Sequence, residues 1–184
     1  MKTPVTWLIA SWLIMLFFAR RDVDCSEVYS KTILRRFKHA DLIHLGSNLS
    51  ALLVTGRKVE EAVGSLTFLL AIIFMVLVES LIDLKVKPKI DGCGIGFSGV
   101  LLGLSIWELM LFGFEASKLS VMLAAVVGVQ GLHYGHLYGI IAGFIWSLLY
   151  KVVKSSSAPY TLRNFTTQNL IKNVETNLFI NNNL

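Results

Sequence analysis

The sequence predicts an all-α polytopic membrane protein, a bundle of six transmembrane helices. Three observations carry this. Of 184 residues, 54% are hydrophobic and only 16% are charged, too apolar for an ordinary soluble domain. The apolar residues fall in runs close to the roughly 20 that a bilayer crossing needs. Short polar or charged segments separate most of the runs, and the length fits one domain.

The spans run in order along the chain. The first covers Pro4 to Ala19. The run after it, "ARRDVDC", lacks a small-residue cleavage site, so this span reads as a retained helix or signal anchor rather than a cleaved leader. The second covers His39 to Gly56, and "GRKVEEAVG" after it reads as a tight, charged turn. The third covers Gly64 to Ile82 and the fourth Phe97 to Gly113, with the flexible loop "KVKPKIDGCGIG" between them. The fifth covers Leu119 to Gly131 and the sixth His133 to Val153. In the long loop from Arg20 to Lys38, "EVYSKTILRRF" has the pattern of either a short interfacial helix or a solvated loop. Residues 1–153 therefore form the membrane domain. From 154 to 184 the composition turns polar: "KSSSAPY" reads as a linker, and the Asn- and Thr-rich end reads as disordered. The tail contains a glycosylation sequon, Asn164-Phe165-Thr166, which matters only on a lumenal side.

The net charge of +5 does not indicate nucleic acid as a partner. The basic residues are scattered through loops, with no stripe interleaved with aromatics. The partner implied is the lipid bilayer. Eight Lys and Arg fall on the side of the N-terminus and nine on the other, so charge does not orient the chain. Cys25 and Cys93 lie in loops on one side. A disulfide is open to them where that side is oxidising, and two unpaired thiols are the expected state.

Polar side chains inside spans are costly and mark functional positions. Here they are His39, His44 and Asn48 on span two, Ser98 on span four, and His133 and His136 on span six. All stand at the starts of even-numbered spans. Even-numbered spans run in one direction, so these residues share a depth and a side whichever way the chain inserts. His44 and Asn48 are one turn apart on one face. His136, Gly139 and Gly143 share a face, and Gly99 and Gly103 are one turn apart. Small residues at that spacing let helices approach closely in lipid. They predict tight packing of span four on span six, which brings Ser98 near His136. A serine hydroxyl beside a neutral imidazole is the minimal activated nucleophile. Gly92, Gly94 and Gly96 leave backbone N–H groups free at the helix start, where the dipole is positive, and such donors suit a developing oxyanion. His44 and Asn48 could add side-chain donors. Each feature alone has a plainer reading as packing or an interhelical hydrogen bond; their conjunction favours chemistry.

These segments together resemble the rhomboid family of intramembrane serine proteases. "FKHADLIHLGSNL" is similar to the second-helix signature, with His44 and Asn48 at its His-x-x-x-Asn positions. "GRKVEEAVG" resembles the Gly-x-x-x-Glu turn, here Gly56 and Glu60, followed by Gly64. "GFSGVLLG" is similar to the nucleophile motif, with Ser98 as nucleophile and Gly103 as packing glycine. "HLYGIIAG" resembles the sixth-helix motif, with His136 as base; His133 does not fit it. The resemblance covers Phe37 to Phe144. It implies a rhomboid-like six-helix bundle, a catalytic Ser98–His136 dyad without a third member, and support from His44, Asn48, Gly96 and Gly99. It also implies a water-filled cavity, substrates that are single-pass transmembrane proteins, and no cofactor. Two departures stand out. Leu102 occupies the position where family members often stack an aromatic on the histidine, and the usual Trp-Arg pair is not evident in "YSKTILRRF".

The main alternative is a catalytically silent rhomboid-like protein that binds or escorts membrane clients, a reading that Leu102 keeps open and that Ser98, His136 and Asn48 oppose. A metalloprotease is disfavoured because His39 and His44 are five apart with no glutamate between them, unlike a zinc helix. An aspartyl intramembrane protease needs two carboxylates at mid-depth, whereas Asp41, Asp83 and Asp91 lie near interfaces. Glu79 and Glu108 are the remaining span carboxylates. Snorkelling or a helix–helix hydrogen bond accounts for each.

Overall fold

The computed structural model describes residues 2–19, 32–86, 95–113 and 134–156. The described residues are almost entirely helical, with no strand among them. The chain divides into two compact units, Met1–Ser147 and Leu148–Leu184. In the second unit the described residues are 148–156, a helical segment that exposes Leu148, Leu149, Val152 and Val153. The remaining architecture belongs to the first unit.

Helix α1 is Pro4–Phe18, with proline at its start, where the missing N–H costs nothing. It buries Thr6, Ile9, Ala10 and Leu13, one face at helical spacing. Helix α2 is a single turn, Thr32–Arg35, so a short helix is what "EVYSKTILRRF" forms at its described end. Helix α3, Leu42–Ala51, starts where Asp41 accepts the His44 backbone N–H at 2.7 Å, a normal N-cap.

The turn expected at "GRKVEEAVG" is not a turn. A π-helical stretch, Leu52–Gly56, continues α3 without a break and leads into α4, Arg57–Val63. Nothing in this segment excludes the helical conformation, and Gly56 takes it with φ −59°. The chain breaks only at Gly64, with φ +86°.

Helix α5, Ser65–Val86, is long and apolar. Its buried residues, Phe68, Ala71, Ile72, Met75, Val76, Glu79 and Ser80, form one continuous stripe at intervals of three and four. Helix α6, Ser98–Phe112, buries every residue from Ser98 to Ser105 and also Trp107. A helix buried all round is a core helix, and α6 contacts both α5 and the π-helical stretch. At its far end Glu108 pairs with Lys58 of α4 at 2.9 Å, and the Lys58 ammonium lies 4.5 Å from the Phe112 ring centroid. Glu108 is thus held in an ion pair. Helix α7, Tyr134–Ser156, continues past the expected end at Val153 into the serine run, which carries no helix breaker before Pro159.

Two helices are long and apolar enough to cross a membrane, Ser65–Lys85 and Tyr134–Ser156, while Pro4–Phe18 and Ser98–Phe112 are shorter apolar helices. Outward residues such as Leu8, Phe18, Leu66 and Leu81 are exposed, and an apolar outer face of this extent suits lipid rather than water. The expected fifth span at Leu119–Gly131, and also His133, Cys25, Cys93, Gly92, Gly94, the sequon and the rest of the tail, lie outside the described residues.

Candidate active site

The seam between α6 and α7 is made of glycine against backbone. A Cβ placed on Gly139 would overlap the Gly99 carbonyl, and one on Gly143 would overlap that of Gly103. A Cβ on Gly103 would lie 2.7 Å from the Gly139 carbonyl oxygen. The helices therefore touch main chain to main chain, as the small-residue spacing predicts.

That contact sets Ser98 beside His136. Oγ of Ser98 and Nε2 of His136 are 2.9 Å apart. Ser98 is 4% exposed and His136 3%, so bulk water competes little for the pair. With Nε2 accepting from the hydroxyl, the proton of the neutral ring sits on Nδ1. Ser98 is the first residue of α6, and Phe97 before it provides no side-chain cap. The first-turn N–H groups therefore precede the intrahelical ladder, which first closes at Leu101 N–H to the Phe97 carbonyl. They sit at the positive end of the helix dipole.

Gly96 shapes the approach. Its φ is +109°, and a Cβ there would come within 2.7 Å of Cε1 of His44 and 3.6 Å of Nδ2 of Asn48. A glycine is needed both for the backbone angle and for the space. His44 and Asn48 thus face the bend two residues before Ser98. One expectation for Gly96 is corrected. Its N–H donates to the Arg35 carbonyl at 3.1 Å, so it is engaged in holding the chain rather than free for an oxyanion. Gly99, for its part, faces away from this bend, toward Glu79 and Gly135.

His39, which no motif selected, has a clear place. Its Nε2 lies 2.8 Å from Nδ2 of Asn48, which accounts for one of the two amide hydrogens. Its ring also meets that of His44 edge to face at 4.9 Å. Asn48 is fully buried, and this hydrogen bond fixes which way its amide points. Leu102, one turn past Ser98, is buried as an aliphatic core residue.

Glu79 does not snorkel. Its carboxylate is fully buried, with Nε of Arg36 3.8 Å away. Among the described residues no group of three His, Cys, Asp or Glu side chains could hold a metal ion.

Glu60, in α4 between the expected second and third spans, anchors α1. It accepts from the Val5 N–H at 3.0 Å, the Thr6 N–H at 2.8 Å, the Thr6 hydroxyl at 2.7 Å and the Ser65 hydroxyl at 2.7 Å. Burial alone would raise its pKa, but these donors outweigh it and hold the carboxyl below its usual range.

This architecture has relatives. The sequence model of the Rhomboid domain matches residues 26–152, and the chain belongs to the rhomboid family. It is similar to the protein named "Putative rhomboid protein L523" of Acanthamoeba polyphaga mimivirus. The two are 29% identical over 161 residues, covering 83% of this chain and 94% of that protein.

Proposed function

We propose that this protein is an intramembrane serine protease that cleaves transmembrane segments with Ser98 as nucleophile and His136 as general base. The single observation that carries the reading is the buried 2.9 Å contact between Ser98 Oγ and His136 Nε2. His136 takes the hydroxyl proton as Oγ attacks the scissile carbonyl carbon. The oxyanion is met by the first-turn N–H groups of α6 and by donors from His44 and Asn48. The imidazolium then protonates the leaving amine, and the C–N bond breaks to leave an acyl ester on Ser98. A water, deprotonated by His136, cleaves that ester and restores the hydroxyl.

The membrane setting fits the length of α6. Fifteen residues rise about 22 Å, short of the roughly 30 Å hydrocarbon core. The start of α6, with Ser98 on it, can lie below one membrane surface, where water must be admitted through the protein. The chain is then a multi-pass integral membrane protein. Residues 1–153 make a six-helix domain, and a polar tail runs from residue 154. Its substrates are single-pass membrane proteins, and it needs neither metal nor nucleic acid.

A second reading, a silent rhomboid-like protein that escorts membrane clients, is favoured by Leu102 alone. Labelling of the membrane-embedded protein by a fluorophosphonate separates the two. The protease reading expects labelling of the wild type and none of Ser98→Ala. A folded wild type that takes up no probe is the silent protein.

A further inference from the structure

Two ionisable side chains are buried beside the dyad in a segment destined for lipid, and the chemistry above does not use them. Arg36 is 3% exposed and Glu79 is fully buried. Ionised groups in such a place are costly unless they pair. Arg36 Nη2 reaches Asp83 at 3.0 Å and donates to the Glu79 carbonyl at 3.4 Å, while its Nε faces the Glu79 carboxylate at 3.8 Å.

The cluster touches the flanks of both proposed catalytic residues. A Cβ on Gly99, the residue after Ser98, would lie 2.7 Å from Oε2 of Glu79 and 2.7 Å from the carbonyl of Gly135. Gly135 precedes His136, and a Cβ there would meet Nη1 of Arg36 at 3.3 Å. The adjoining backbone grips the other side of Ser98: the Arg35 carbonyl accepts the Gly96 N–H at 3.1 Å. The Phe37 ring packs on that of Phe97, with centroids 5.5 Å apart. Residues 35–37 thus contact the chain just before Ser98 and just before His136, and their charge is tied into α5.

We propose that Arg36 and Glu79 are positioning residues, forming a buried polar clamp that sets the start of the Ser98 helix against the start of the His136 helix. The inference rests on the protease reading of the site. Neither residue meets the reacting atoms. One nitrogen, Nη2, reaches both Asp83 and the Glu79 carbonyl on α5, while Nη1 lies against Gly135 and Nε faces the Glu79 carboxyl, a spread of contacts that a single ammonium cannot make. The carboxylate fills the space left by Gly99 and keeps that flank from collapsing.

The test uses the full chain in lipid vesicles with a cleavable transmembrane substrate. Glu79→Gln keeps the shape and removes the carboxyl; Arg36→Lys keeps the charge and removes the spread of guanidinium contacts. Each is expected to lower kcat about 10²-fold, the scale of a small misplacement of reacting groups, with KM within about twofold. The double variant is expected to lose no more than either single one, because the two act as a unit. Glu79→Asp is expected to recover part of the loss. Should Glu79→Gln fail to fold, Asp83→Asn, with a part-exposed side chain, takes its place and is expected to show the same kcat-selective loss. Full kcat in a folded Glu79→Gln, or strictly additive losses, overturns the clamp and leaves the protease reading intact. A folded wild type that neither takes up fluorophosphonate nor cleaves substrate overturns both.

Discussion

Gly139 is set so close to Gly99 that no side chain fits between them; a Cβ on Gly139 would overlap the Gly99 carbonyl. Gly139 lies one turn beyond His136, and Gly99 adjoins Ser98, so the glycine seam fixes the 2.9 Å separation of the proposed dyad. Gly139→Ala is expected to push α7 off α6. Overpacking of this kind costs about 1–3 kcal/mol of stability. The displaced base should slow fluorophosphonate labelling about 10²-fold. Gly46→Ala is the control: its site has nothing within 4 Å, and its labelling rate is expected to match the wild type.

His136→Ala should keep the fold and lose turnover, because it removes the base placed 2.9 Å from the Ser98 hydroxyl. Retained cleavage in a folded His136→Ala would reassign the base. Activity should persist in excess EDTA, since the mechanism uses no metal. Substrate cleavage tracked by gel, with and without chelator, reads both outcomes.

Asn48→Ala is expected to lower kcat by about 10²-fold or less, the scale of one oxyanion donor. His39→Ala should reproduce much of that loss by freeing the Asn48 amide from its 2.8 Å hydrogen bond. The two losses should not add, because both remove the same oriented donor. A double-mutant cycle on kcat makes the measurement. Additive losses would give His39 a role of its own.

Glu60 predicts a pH dependence of stability. Its folded pKa lies below the ordinary value of 4.5. Above about that pH the carboxylate is ionised in both folded and unfolded chains, and the stabilisation from its four donors is complete. As pH falls through the lower folded value, the folded chain takes up the proton and the contribution disappears. Glu60→Gln should therefore unfold about 2 kcal/mol more easily near neutrality, the scale of hydrogen bonds to a charged group. The gap to wild type should narrow at acid pH. Thermal unfolding in detergent across pH 3–7 would show it, and a constant gap would remove the ionised carboxylate from the explanation.

The approach of Ser98 to His136 was legible because it rests on periodicity. Glycines at 99, 103, 139 and 143 recur at helical spacing, and such a pattern survives in a one-dimensional string. The shared face of His44 and Asn48 was legible for a similar reason, since the two are one turn apart and both meet the bend at Gly96. The engagement of Gly96 was not, because its N–H is taken by Arg35, a residue 61 positions earlier. Arg36 with Glu79 and His39 with Asn48 escaped on the same ground. Their pairing depends on how the segment after α2 folds back, which no local spacing records. Glu79 looked able to reach an interface from the end of its span, yet α5 turns it inward on the stripe that begins at Phe68. "GRKVEEAVG" misled because glycine and charge signal a turn, while here neighbouring helices keep the segment helical.

The π-helical stretch at Leu52–Gly56 carries a consequence of its own. Each residue added to a helix rotates the remainder of that helix by about 100°, and a π turn holds the equivalent of one extra residue. Before the stretch, His44 and Asn48 point toward Gly96; beyond it, Glu60 points to α1. The stretch itself contacts both α1 and α6. One rod thus carries two angular phases, joined by a single inserted step. Deleting one residue between Leu52 and Gly56 would restore an unbroken α ladder. It would also swing either His44 and Asn48 or the anchor of the first helix out of alignment.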